Sequence, residues 1–93
     1  MNQFNESSNT MVITLNAILN AKKTVLHVSH DEEDGMWQFL DRSKALVTDN
    51  ARIVILEEIL KIDESLSSLW DLSRGWTAER VNAEALWSRY ENT

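Results

Sequence analysis

The sequence predicts an α+β domain, a small antiparallel sheet packed against two or three short helices. Three observations predict it. An acidic turn, residues 31–35, runs into a Trp37-x-Phe39 alternation, which makes a hairpin with the β-branched stretch before it. Residues 56–72 carry Leu56, Ile59, Leu60, Leu66, Leu69 and Trp70 at helical spacing. After Gly75, the chain alternates again through Trp76, Ala78 and Arg80, as a third strand would.

Taken in order, residues 1–9 have the Asn/Ser composition of a flexible terminus, and the single domain covers residues 10–93. Val12, Leu15, Ile18 and Leu19 fit a helix over 10–22, capped by Asn9 or Thr10 and ending at Lys22 and Lys23. Residues 24–30 form the first strand of the hairpin and 36–41 the return strand. Gly35 supplies a positive φ at the turn. Residues 42–50 read as a loop with Asp49 or Asn50 as a cap. Residues 51–62 carry both signals, since Ile53, Val54 and Ile55 prefer a strand whereas Leu56, Ile59, Leu60 and Asp63 fit helical spacing. Residues 51–56 stay open between strand and helix, with a brief extended lead-in and then a helix as the first reading. A second helical piece covers 64–72 and stops before Ser73-Arg74-Gly75. Residues 76–81 read as the third strand, with a helix as the second choice, and 83–90, with Leu86, Trp87 and Tyr90 at helical offsets, as a terminal helical turn. Prolines are absent and the two glycines, Gly35 and Gly75, mark the tightest reversals.

Composition narrows the function classes. Ninety-three residues allow one domain, and a chain of this size buries only about 60–65% of its unfolded surface. The 43% hydrophobic content with four Trp is enough for one core. With no Cys, disulfides, thiolate catalysis, thiolate zinc sites and iron–sulfur clusters are excluded. Residues 1–10 carry Glu6 and no Lys or Arg, unlike the basic region of a signal peptide, and a cytoplasmic location is expected. Nine basic against fifteen acidic side chains give a net charge of −6, with the cations scattered, so neither nucleic acid nor an anionic membrane is an expected partner.

The blocks HDEEDGMWQFL, LEEILKIDESLSSLWDL and RGWTAER, followed by a Trp and an Arg, resemble a family of short uncharacterised bacterial proteins. Its pattern is HDExGxWxFL, an acidic-capped Leu-rich helix and Gly-x-x-Ala-x-Arg. The resemblance spans roughly residues 25–89. It rests on His30, Asp31, Glu32, Gly35, Trp37, Phe39 and Leu40, then Asp63, Ser65 and Leu66, then Gly75, Ala78, Arg80, Trp87 and Arg89. This chain has one extra residue in the turn, Glu32-Glu33-Asp34, and Arg74 where a proline is usual. The family carries no established activity. A looser architectural similarity links the order of acidic turn, Trp strand and Asp-x-x-Leu helix to small bacterial immunity-type domains.

Candidate chemistry concentrates at the hairpin. No nucleophile elbow, P-loop or dinucleotide fingerprint occurs, and neighbouring exposed carboxylates do not split their pKa values as acid–base catalysis needs, so an enzyme and a cofactor are not expected. The expected function is protein–protein binding, of accessory or immunity type, through His30, Asp31, Glu32, Glu33, Asp34 and Trp37, with the indole as an exposed anchor beside the acids. The alternative is a divalent-metal or small-ligand site drawing on His27, His30 and the carboxylates of Asp31 to Asp34, with His27, His30, Asp31 and Asp34 as the metal candidates. Its difficulty is that residues 27 and 30 of one strand point to opposite faces. A homodimer through the apolar sheet edge is a third reading. Trp70, Trp76 and Trp87 are expected in the core, and Arg80 is expected to pair with Glu32 or Glu33.

Overall fold

The computed structural model describes residues 9–42 and 50–92. Apart from Asn9, Arg42 and Asn50, the expected flexible terminus, the loop over 42–50 and its Asp49 cap lie outside them. In chain order the elements are β1 (Met11–Leu15), α1 (Asn16–Leu19), β2 (His27–His30), β3 (Trp37–Leu40), β4 (Ala51–Ile55), α2 (Leu56–Ile62), a 3-10 helix (Glu64–Leu69), β5 (Trp76–Glu79) and β6 (Ser88–Glu91).

The fold is α+β, but its sheet is larger than the expected hairpin plus one strand. Six strands stand in the order β4-β1-β3-β2-β5-β6. The β2–β3 hairpin and its β5 neighbour are antiparallel, His30 facing Trp37 on one side and Trp76 on the other. The remaining strands come from two segments expected to be helical, and from the lead-in at 51–55. Residues 11–15 form β1, which runs parallel to β3 and antiparallel to β4. Val12 and Thr14 are both fully buried, so the real period here is two. A polar residue at an inward position hid it, since Thr14 is tolerated only because its hydroxyl donates to the Phe39 carbonyl at 2.8 Å. At the other end, Tyr90 and Ser88 face Thr77 and Glu79 across a strand pair, and no terminal helix forms.

Successive side chains alternate between the two faces of a sheet. One face, carrying Val12, Val28, Trp37, Phe39 and Ala78, joins Leu56 and Ile59 of α2 and Leu66 and Leu69 of the 3-10 helix in the core. The extended lead-in at 51–55 and the helices after it agree with expectation. At the end of α2, Asp63 accepts from the Ser65 backbone N–H at 3.0 Å and starts the 3-10 helix. On the opposite face, cross-strand register places Ile53, Ile13, Gln38, Ser29, Thr77 and Tyr90 along one row of the sheet, with Thr77 buried and Ile13, Gln38 and Ser29 partly so.

Two tryptophans exchange roles. Trp37, expected as an exposed anchor, is 1% exposed, while Trp70, expected in the core, is 40% exposed. Strand alternation explains the first: Trp37 shares the inward face with Phe39. Trp76 and Trp87 pack against the core as expected.

Candidate functional site

The hairpin tip is built by its own acids. The Asp31 backbone N–H donates to the Met36 carbonyl and the Gly35 N–H to the Asp31 carbonyl, closing the turn. The Asp31 carboxylate accepts from the Glu33 N–H at 2.7 Å and that of Asp34 from the Met36 N–H at 2.8 Å. Asp31 and Asp34 thus cap the turn, while Glu32, Glu33 and Asp34 stay exposed. Gly35 takes the expected positive φ, 71°. It is needed twice over, because a Cβ there would come within 2.5 Å of the Arg74 guanidinium. Glu32 lies in turn over Gly75, whose φ is 82° and whose N–H donates to the His30 carbonyl. The tip is therefore clasped to the 73–75 turn.

His30 and Trp37 lie beneath the tip. The His30 imidazole is 8% exposed, stacks on the Trp37 indole at 4.0 Å between centroids, and donates from Nδ1 to the Leu72 carbonyl at 2.8 Å. Both rings are supports of the hairpin, and burial removes them from the contact surface assigned to them on sequence grounds.

His27 lies on the other face. Its Nδ1 donates to Glu79 Oε2 at 2.7 Å, with Arg42 Nε 3.9 Å from the same oxygen and Tyr90 a neighbour of that carboxylate. The His27 hydrogen bond, opposed by burial and helped by the charges of His27 and Arg42, holds the Glu79 carboxyl below the usual carboxylate range. Burial first, and then the neighbouring Glu79 charge, pushes the Tyr90 phenol above its usual value. His27 and His30 are thus on opposite faces with their Nδ1 atoms committed to different partners, so the expected metal set of His27, His30, Asp31 and Asp34 is not brought together. Among the described residues no three of His, Cys, Asp and Glu converge on a metal position.

Arg80 is the other correction. Register puts residue 80 beside Leu26, at the far end of β5 from the acidic turn, so Glu32 and Glu33 are out of reach. The guanidinium instead donates to Asp63 at 2.8 Å, to Ser65 Oγ at 3.1 Å and to the carbonyls of Val25 and Ala83, with its carbon 4.3 Å from the Trp87 ring centroid. Asp63, Ser65, Arg80 and Trp87 form one structural clamp.

No family model, curated protein or solved structure matches the chain. No helix among the described residues is long and apolar enough to cross a membrane. The His27–Glu79–Tyr90–Arg42 group was missed on sequence grounds because its members are joined only by strand register. The available signal was opposite polarity at facing positions of β2 and β5.

Proposed function

We propose that this chain is a protein-binding module, accessory or immunity-type in its bacterial host, and that the acidic hairpin tip is its contact surface. The observation that carries this reading is the rigid presentation of Glu32, Glu33 and Asp34: exposed acids on a turn pinned by its own hydrogen bonds and clasped by the 73–75 turn. A pre-organised surface loses little entropy on binding. Its charge, in a chain of net −6, steers a basic partner toward it. The looser architectural similarity to small bacterial immunity-type domains is the ground for the accessory or immunity-type form of this reading. His30 and Trp37 act from below, holding the tip in place.

The test keeps the turn intact by sparing Asp31 and Asp34. Full-length wild type and a Glu32→Lys, Glu33→Lys variant are immobilised and challenged with bacterial lysate. A protein retained stoichiometrically by wild type, released by salt and lost with the variant is the expected result. Equal retention by both baits overturns the tip as the contact surface, and retention of nothing by either overturns the binding reading.

A further inference from the structure

A recess of about 350 Å³ opens at Glu79, lined also by Arg42, Arg80, Val81, Ala85, Leu86 and Ser88. That volume lies at the small end of the range for ligand sites and is sufficient for a compact metabolite. Three features distinguish it from the rest of the surface. Val81 and Leu86, on its rim, are 70% and 92% exposed, the two most exposed large apolar side chains among the described residues. Arg42 holds its place with φ at 73°, in the left-handed region that non-glycine residues seldom occupy and that gathers at ligand clamps. Glu79 is held by the His27 hydrogen bond at 2.7 Å, so its carboxylate is positioned before any ligand arrives.

The two charges restrict the ligand. Arg42 Nε lies 3.9 Å from Glu79 Oε2, a loose ion pair at the wall of the recess that leaves guanidinium N–H donors unused by Glu79. A simple carboxylate attracted to Arg42 would meet the Glu79 charge, and a simple amine attracted to Glu79 would meet Arg42. A molecule with adjacent carboxylate and ammonium groups satisfies both, and its apolar remainder would cover Val81 and Leu86. We infer that this recess binds a free α-amino acid with an apolar side chain, its carboxylate on Arg42 and its ammonium on Glu79. This site is separate from the acidic tip, and neither reading depends on the other.

The experiment is an amide-resolved NMR titration of the full chain with L-leucine. Two analogues serve as controls: 4-methylpentanoate, which lacks the ammonium, and 3-methylbutylamine, which lacks the carboxylate. Saturable shifts confined to residues around Arg42, Glu79 and Leu86 are expected. Each analogue should bind at least about tenfold more weakly, as the loss of one charge-assisted hydrogen bond implies. Arg42→Gln and Glu79→Gln, each with unchanged amide dispersion elsewhere, should abolish saturation by leucine. The inference is overturned if leucine produces no saturable shift, if either analogue binds as well as leucine, or if both variants, still folded, bind it as wild type does.

Discussion

Arg80 and Asp63 form a largely buried ion pair, Nη2 to Oδ2 at 2.8 Å, that ties the end of β5 to the junction of α2 and the 3-10 helix. The Arg80 side chain is 2% exposed, and its donors reach two carbonyls and a hydroxyl besides the carboxylate. Removing one partner of such a pair leaves a charge that the interior cannot solvate. Truncation at residue 80 also empties the space that the guanidinium fills. Arg80→Ala should therefore lose about 3 kcal/mol or more of stability, and Arg80→Lys most of the same, since an ammonium cannot reproduce the fork. Asp63→Asn leaves the 2%-exposed guanidinium without its counter-charge and should likewise cost about 3 kcal/mol. Urea midpoints at constant m-value measure all three.

Gly35 and Arg74 make a second pair whose coupling can be read by a cycle. Gly35→Ala forces a side chain into the left-handed region, which costs about 1–2 kcal/mol, and also drives its Cβ into the Arg74 guanidinium. In the Arg74→Ala background the steric part vanishes and the backbone part remains. Gly35→Ala should accordingly be less destabilising in that background than in the wild-type chain, a coupling visible in chemical denaturation. Equal costs in both backgrounds would mean that Arg74 yields freely.

Residues 51–56 carried a strand preference and a helical spacing at once, whereas the hairpin, its turn and the β5 strand were legible because each is announced locally, by a glycine at a reversal or by a clean period. The first and last strands were not. Val12, Leu15 and Ile18 satisfy a helical spacing as well as a strand ending in a short helix, and only partners distant in sequence, such as Phe39 beside Thr14, decide between them. The same limit hid the second cluster: the acidic tip is contiguous in sequence, whereas His27 and Glu79 meet only through the β2–β5 register. Trp37 was misplaced for a different reason, its position beside four acids outweighing the inward parity it shares with Phe39.

Thr14 tests the account of β1. Its hydroxyl, fully buried, donates to the Phe39 carbonyl at 2.8 Å across the parallel pair. Thr14→Val keeps the shape and the strand preference but removes this donor, and a loss of about 1–2 kcal/mol is expected. Thr14→Ser keeps the hydroxyl and gives up a methyl group, at about 0.8 kcal/mol for the transfer. If residues 10–22 were helical after all, the loss of the hydroxyl would not make Val the more damaging of the two. Thermal melts of both variants distinguish these outcomes.

The His27–Glu79–Tyr90 group predicts a stability profile that falls at both ends of the pH range. Glu79 has its carboxyl lowered from 4.5 in the folded state, so its contribution is complete above that value and is lost as pH falls through the lower folded one. Tyr90 is raised from 10.0, so its contribution is complete below that value and is lost as pH rises through the higher folded one. Melting temperatures of wild type, Glu79→Gln and Tyr90→Phe across pH 3 to 11 (roughly the span of the two groups' ordinary values) separate the arms. Glu79→Gln should flatten the acid arm, by about 0.2–1 kcal/mol for a partly exposed pair. It should also weaken the alkaline arm, because the Glu79 charge is one cause of the Tyr90 shift. Tyr90→Phe should flatten the alkaline arm while leaving most of the acid arm, since His27 is the first cause of the Glu79 shift and Tyr90 the last. An acid arm unchanged in Glu79→Gln would show that another carboxylate sets it, and Asp71, lowered first by its hydrogen bond from Arg89, is the next to replace.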